Sequence, residues 1–486
     1  MYVIALENKL QQNMVQAVQD MAAYFGCSLA GENTAADAVL RLSFDGRVVR
    51  ALLVRGAGYF LGNVPCQELQ QSYADGWPSG EITRCVKLAV IKVLSSWLRQ
   101  RPELPWGVLT GVRPGKLAHK IVGAGHSYEK LPQLLQQHYL LPEPQAKLLT
   151  DICALQDKLA PVDEMGIYVG VPFCPSRCSY CSFPSGIIPR DEESQQNFVN
   201  LIELELQSVV QLTGMHNLRV TSVYVGGGTP TSLSDRVFAR FMGLLQSYLN
   251  LPTVKEFTVE AGRPDCFSRA KLAAMEEAAV NRISVNPQTF HDATLRAIGR
   301  AHTVADFYAA YELVRQSSIP IVNMDLIIGL PGEGVKEITS SLREAVRLAP
   351  ENLTVHTLTL KKNSPLYSIG HGDALSPAEA GCMVELGQRL ATEAGYHPYY
   401  LYRQHYMLGH LANIGYAKPG TESIYNIQVM EERHPILGIG PSSASKRPLA
   451  DGHHLLRMNM PKNLETYRQA LQEYCRKREE LFREES

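Results

Sequence analysis

Between residues 166 and 360 the chain alternates short apolar runs with longer amphipathic stretches, and this rhythm predicts its core. The runs GIYVGVPF (166–173), VTSVYVGGG (220–228), EFTVEAG (256–262), RISVNPQ (282–288), VNMDLIIGL (322–330) and LTVHTLTL (353–360) are short and rich in β-branched residues, which marks them as strands. The segments at 191–212, 234–249, 268–279, 304–317 and 335–348 repeat apolar residues at helical spacing. Strands separated by helices predict a parallel sheet. Right-handed crossovers place the helices on one side, and six such units curl into a partial barrel instead of the closed eight-fold form. The expected fold class is therefore α/β, a partial (β/α)6 barrel, with functional residues at the strand C-termini and in the loops that follow.

The flanks read differently. Residues 1–160 hold a strand pair in VLRLSFDGRVVRALLV (39–54) and a helix at 83–99. LTGVRPGKLAHKI (109–121) opens with turn residues before becoming helical, and further helix runs over 132–160 up to Pro161. The expected organisation is an α+β N-terminal domain at 1–160, the barrel at 161–370, and a mixed C-terminal region at 371–486 that covers the substrate. That last region reads as loop-rich between Tyr396 and Lys446 and closes in a charged helical tail at 464–484. A chain of 486 residues can bury several cores without disulfide support. Lys and Arg total 47 against 48 Asp and Glu, so no global field draws the chain to nucleic acid or anionic lipid. The opening MYVIALENKLQQ lacks the basic-then-apolar pattern of a secretory signal, and no apolar run approaches a membrane span. A cytoplasmic protein without a membrane span is expected.

The ten cysteines are unevenly placed. Cys174, Cys178 and Cys181 crowd into VPFCPSRCSYCSF directly after a predicted strand, at the barrel mouth. Cys27, Cys66, Cys85, Cys153, Cys266, Cys382 and Cys475 are scattered and read as small buried hydrophobes or idle surface thiols. In a reducing compartment the crowded trio suggests metal more than disulfides. Three thiolates suit zinc or an iron–sulfur site, and no His or Cys follows at a spacing that would complete structural zinc nearby. An open coordination position implies chemistry; a zinc knuckle completed from afar is the alternative. GGGTP (226–230) follows the second strand, where missing Cβ atoms let a backbone approach a ligand or simply turn. Glu260 ends the third strand, as a receptor for an ammonium group or as an ordinary cap.

The CxxxCxxC loop resembles that of radical S-adenosylmethionine enzymes. The resemblance implies that the three thiolates bind three irons of a [4Fe–4S] cluster while the amino and carboxylate groups of S-adenosylmethionine chelate the fourth. An electron then splits the sulfonium to methionine and a 5′-deoxyadenosyl radical, so the cofactors carry the difficult step. It also implies that Tyr180 lies against the adenine and that Gly227, Gly228 and Thr229, with Glu260, receive the methionine amino group. Gln288 in NPQTF, Arg300 in IGRAH and Asp325 in NMDLIIGLPGE match the coproporphyrinogen branch of this superfamily. There Gln and Asp contact the ribose hydroxyls and Arg pairs with the methionine carboxylate; Tyr168 matches a tyrosine that touches the cofactor. No side chain is assigned to catalysis beyond the cluster and its cofactor.

The resemblance runs from about Met165 to Lys446 and includes IGLPGE (328–333), AKPG (417–420) and LGIGPSSAS (437–445), similar to oxygen-independent coproporphyrinogen III dehydrogenases. The preface with LTGVRPGK resembles the HemZ-type branch. The implied substrate is a porphyrinogen, or haem in the chaperone relatives, and the implied partner is a flavodoxin- or ferredoxin-like electron donor. Lys361, Lys362 and Arg403 lie where a carboxylate-binding rim could form, and His302, His356 and His405 are possible proton handlers. Phe183 stands where the best-established dehydrogenases carry a further cysteine, a substitution shared with the haem-chaperone relatives. Two activities are chiefly implied, oxidative decarboxylation of coproporphyrinogen III and haem delivery, with radical methylation or opening of haem a third, less well matched.

Overall fold

The computed structural model describes residues 2–7, 12–31, 34–45, 47–66, 79–109, 113–215, 218–359, 364–369, 375–403, 411–449 and 454–483. It divides into two compact units, Met1–Asp151 and Ile152–Ser486.

The first unit runs β1 (Tyr2–Leu6), α1 (Gln12–Ala23), β2 (Cys27–Leu29), β3 (Ala38–Phe44), β4 (Val48–Arg55), β5 (Gly58–Pro65), α2 (Ser79–Leu98), α3 (Pro114–Gly123), α4 (Leu131–Tyr139) and the start of α5 (Glu143–Leu159). Its sheet has the order β2-β1-β3-β4-β5, with β1 parallel to both neighbours and the rest antiparallel. Alternation along β3 and β4 buries Leu40, Leu42, Val49, Ala51 and Leu53, as a sheet covered on one face requires. Gly62 lets α2 settle on β5, because a Cβ there would stand 2.7 Å from the Ala89 carbonyl. The helix expected over 132–160 is two helices. Leu140 turns left-handed at φ 56°, and Pro142, which disfavours helix in the residue before it, keeps α4 from running into α5.

The second unit continues through β6 (Glu164–Val171), β7 (Phe173–Cys174), β8 (Gly186–Ile187), α6 (Glu192–Met215), β9 (Arg219–Gly227), α7 (Asp235–Leu249), β10 (Glu256–Glu260), α8 (Arg269–Glu277), β11 (Arg282–Ser284), α9 (Asp292–Ala297), α10 (Val304–Arg315), β12 (Ile321–Ile328), α11 (Val335–Leu348) and β13 (Asn352–Thr357). It ends with α12 (Pro365–Ile369), α13 (Pro377–Glu393), β14 (His397–Tyr402), β15 (Asn413–Ala417), α14 (Ile424–Glu431), β16 (Ile436–Ile439), β17 (Ala444–Pro448), β18 (Leu455–Asn459) and α15 (Leu464–Phe482). The sheet order is β14-β15-β13-β12-β11-β10-β9-β6-β16-β17-β18. From β16 to β13 every neighbouring pair is parallel, so the six predicted strands gain a seventh, while antiparallel pairs extend both ends. Helices begin where hydroxyl or amide caps allow: Ser234, Ser268, Thr303, Ser376 and Asn463 each accept a hydrogen bond from the first turn that follows.

The segment between Tyr396 and Lys446, expected to be loop-rich, contains β14, β15, α14, β16 and the start of β17. Its strands are short and broken by Gly and Pro, and β14 slips register between Pro398 and Tyr400, so no period extends far enough to be read.

The new parallel strand is held in place by a buried carboxylate. Glu205, on α6, accepts hydrogen bonds from the Gly440 amide at 2.7 Å, from the Tyr467 hydroxyl and from Arg478 on α15. Both members of the Glu205–Arg478 pair are fully buried. Removing one partner of such a pair strands the other charge, which typically costs about 3–5 kcal/mol. Glu205→Ala is therefore expected to lower the stability of this unit by that amount, read as a fall in urea midpoint without a change in slope.

Candidate active site

The cysteine loop springs from the end of β6. Its base is closed by the short parallel pair of β7 and β8, with Gly186 N donating to the Pro172 carbonyl at 2.8 Å and Ile188 N to the Cys174 carbonyl at 3.0 Å. Its middle is held from two sides: Ser179 N donates to the Ile298 carbonyl, and Leu366 N to the Ser179 carbonyl, both at 2.9 Å. Cys178 is buried at 7 % exposure, and Cys174 and Cys181 are half-buried. Each thiol meets a polar donor or acceptor: Cys174 lies 3.3 Å from Ser185 Oγ and 3.6 Å from Thr229 Oγ1, and the Phe183 amide donates to Cys181 at 3.4 Å. Arg263 donates to Cys178 Sγ at 3.5 Å.

The donor set fits an iron–sulfur cluster. Among the described residues, no three His, Cys, Asp or Glu side chains gather closely enough to hold a single metal ion. A four-iron cluster asks instead for one thiolate per iron, and so for ligands set apart on one loop.

Beside the loop lies a cradle without side chains. A Cβ on Gly228 would stand 3.0 Å from Cys174 Sγ, and one on Gly226 would stand 2.9 Å from the Glu260 carboxyl. Gly227, at φ 114°, occupies a backbone conformation open to glycine. Glu260 accepts from Tyr224 Oη at 2.6 Å and from Gly227 N at 3.3 Å. Burial pushes its pKa up to about 7, against the lowering effect of those two bonds.

Across the barrel mouth, Gln288 sits at φ 66° after β11, with its amide donating to the Asp325 carbonyl at 3.0 Å. Its Oε1 is buried without a partner, and so is Nε of Arg300, whose Nη2 donates to the Gly262 and Asn286 carbonyls at 3.0 and 2.6 Å. Orphaned buried polar atoms each cost about 1–3 kcal/mol, so this pair is built to face something polar. Asp325 accepts from Asn286 Nδ2 at 2.8 Å and Asn323 Nδ2 at 2.9 Å, with His356 Nε2 3.7 Å away. Burial alone would raise its pKa, but His356 and the hydrogen bonds hold it below the usual carboxylate range.

Tyr180 packs against the apolar cluster formed by Leu295, Ile298, Ile327, Leu330, Leu358 and Leu366. Tyr168 stacks with Tyr224 and Tyr425 inside the barrel, ring centroids 6.3 and 6.1 Å apart. The sequence-derived residues thus group at the C-terminal ends of the parallel strands. His302 is buried behind Asp265, and His356 reaches Tyr402 Oη at 3.3 Å from Nδ1. Arg403 is buried, donating to the Leu411 carbonyl at 3.5 Å, and Lys361, Lys362 and His405 lie outside the described residues. Sequence reasoning missed Arg263, Asp265, Asn286 and Tyr224. The position of Arg263 and Asp265 directly past a barrel strand was the available signal.

The radical SAM superfamily pattern matches residues 168–345. The chain is 41 % identical over 376 residues to the oxygen-independent coproporphyrinogen-III oxidase-like protein HemZ of Bacillus subtilis, covering 76 % of this chain and 75 % of that one. It is 31 % identical over 264 residues to the heme chaperone HemW of the same organism, covering 54 % and 65 %. Among solved structures, the coproporphyrinogen III oxidase HemN of Escherichia coli aligns with a TM-score of 0.52 at 21 % identity, over 66 % of this chain and 73 % of that one, a likeness of fold.

Glu260 yields a prediction that needs no ligand. Its folded pKa of about 7 lies above the ordinary glutamate value of 4.5, so the unfolded chain releases this proton first as pH rises. Its contribution to stability is fully present below about pH 4.5 and lost by pH 7, at about 1.4 kcal/mol per pH unit between the two values. Glu260→Gln keeps the shape and removes the titration. Thermal melts of both proteins at pH 5 and pH 8 are expected to show the variant gaining on the parent at the higher pH.

Proposed function

Since the chain belongs to the HemN- and HemZ-like family of radical SAM proteins, we propose that it carries out the oxygen-independent oxidative decarboxylation of coproporphyrinogen III to protoporphyrinogen IX. The superfamily works with a [4Fe–4S] cluster and S-adenosylmethionine, and when bound these supply the electron and the hydrogen-abstracting radical. The chain's own residues bind, orient and shield. Cys174, Cys178 and Cys181 hold the cluster on a loop fixed at both its base and its middle. Gly227, Gly228 and Thr229 offer backbone and hydroxyl groups to the methionine amino end, and Glu260 accepts its ammonium. Arg300, whose Nε is buried without a partner, would pair with the carboxylate; Gln288 and Asp325 would take the ribose hydroxyls, and Tyr180 and Tyr168 would bound the site with their rings. The observation that carries this assignment is the side-chain-free cradle of Gly226 to Gly228 with Glu260, set directly against the cysteine loop.

On the substrate, two of the four propionates react: each loses a hydrogen atom from its β-carbon, then carbon dioxide and one electron, leaving a vinyl group, so two rounds complete the conversion. The electron leaves to an acceptor, and a flavodoxin- or ferredoxin-like protein supplies the one that starts each round. Such chemistry belongs in the cytoplasm, where porphyrinogens and reduced donors coexist.

A second reading, haem delivery without turnover, is favoured by Phe183, which is 38 % exposed beside Cys181, and by the similarity to HemW. Anaerobic incubation of the reconstituted protein with reductant, S-adenosylmethionine and coproporphyrinogen III separates the two. Vinyl porphyrins on chromatography are the expected result. Stoichiometric haem binding with unchanged coproporphyrinogen would replace the first reading with the second.

Cys178→Ala is expected to abolish the brown cluster absorbance and cofactor cleavage while circular dichroism stays native, since the loop lies at the mouth and not in the core. Full retention of iron and sulfide would show the ligand set to be wrong.

A further inference from the structure

Arg263 is 3 % exposed, and the cofactor contacts described above make no use of it. Its guanidinium grips Asp265 with two arms, Nε to Oδ1 at 2.8 Å and Nη2 to Oδ2 at 2.7 Å. The remaining edge of the fork reaches into the cysteine loop. Nη2 donates to Ser176 Oγ at 2.9 Å, and Nη1 to the Ser176 carbonyl at 3.4 Å and to Cys178 Sγ at 3.5 Å. Arg stays protonated at any working pH, and its planar fork holds several donors in fixed directions. A loop tie alone would need only the bonds to Ser176; the third bond delivers a charged donor to sulfur.

We infer that Arg263 is a positioning residue that raises the reduction potential of the cluster through Cys178, and that Asp265 limits how far. Reduction adds one negative charge, shared between the cluster and its thiolates. An N–H donor and a cation held against one of those sulfurs in a buried site stabilise that charge, one of the ways a protein tunes such a centre. Asp265 orients the guanidinium and offsets most of its charge at longer range, leaving the short N–H contact as the main influence. The inference rests on the assignment of the cluster to Cys174, Cys178 and Cys181.

The test is a dye-mediated redox titration of the anaerobically reconstituted full-length protein, followed by electron paramagnetic resonance, with iron and sulfide measured on every sample. Arg263→Gln is expected to lower the potential: at the wild-type midpoint the ratio of reduced to oxidised cluster falls about tenfold, equivalent to about 59 mV for a one-electron couple. Arg263→Lys, which keeps charge but loses the fork, should fall by less. Asp265→Asn unmasks the guanidinium and should move the ratio the opposite way. Shifts of opposite sign from two neighbours are not what general loosening produces. Variants with full iron and sulfide that titrate with the wild type would overturn the inference. Should Arg263→Gln hold no cluster, an Asp265→Asn midpoint that is unmoved or lowered does the same. A wild-type protein lacking iron and sulfide would instead remove the cluster assignment itself.

Discussion

The site depends on a seam where two backbones run closer than side chains permit. Parallel pairing brings Val171 of β6 opposite Gly227 of β9, and past the ladder the two chains stay joined by Gly228 N to the Val171 carbonyl at 2.8 Å and Thr229 N to the Phe173 carbonyl at 2.6 Å. A Cβ at residue 228 would lie 2.3 Å from the Phe173 carbonyl oxygen, and one at residue 227 would lie 2.7 Å from that of Val171. Such distances exclude any other residue type without moving a strand. The glycine run is therefore a condition of the architecture first and a ligand cradle second: the approach that fixes where the cysteine loop begins also leaves an open backbone surface beside Cys174. Loop and cradle share one wall, and neither can shift without the other.

What was legible in the sequence follows from distance along the chain. Strands buried on both faces appear as continuous apolar runs, so β6, β9, β10, β11, β12 and β13 could be read directly. The cysteine trio and the glycine run are local patterns too, and both fell where a barrel strand ends. Illegible features join distant residues. Arg263 meets Ser176 across 87 positions, and Glu205 meets Arg478 across 273, with no local pattern to announce either contact. The stack of Tyr168, Tyr224 and Tyr425 draws its last ring from a stretch whose short strands and helix read as loop. The left-handed backbone of Gln288 was hidden for a different reason: nothing in NPQTF marks a strand that stops at Ser284 and turns its amide back to Asp325.

Two carboxyl groups at the barrel mouth are driven in opposite directions by their surroundings. Glu260 is half-buried with only a tyrosine hydroxyl and one amide to support its charge, and desolvation wins, lifting its pKa to about 7. Asp325 is likewise half-buried, but the nearby His356 and two asparagine amides outweigh desolvation and keep it ionised. Each negative charge also disfavours the other, so the barrel can carry one anion at neutral pH more easily than two.

On the proposed reading, that division makes Glu260 the group whose charge responds to the ligand. With a pKa of about 7, Glu260 takes up a proton more readily than an ordinary carboxylate, which lowers the cost of leaving it without a cation. Glu260 would hold the ammonium group of the cofactor, and a cation beside it would favour its ionised form. Asp325, already charged and already hydrogen-bonded, needs no such change to accept hydroxyl groups. On the same reading, Asp325, Gln288 and Arg300 would form a preset face, while Glu260 would adjust its charge. The response occurs at the carboxyl group that a Cβ on Gly226 would crowd at 2.9 Å, so the seam that shapes the cradle also keeps room for it.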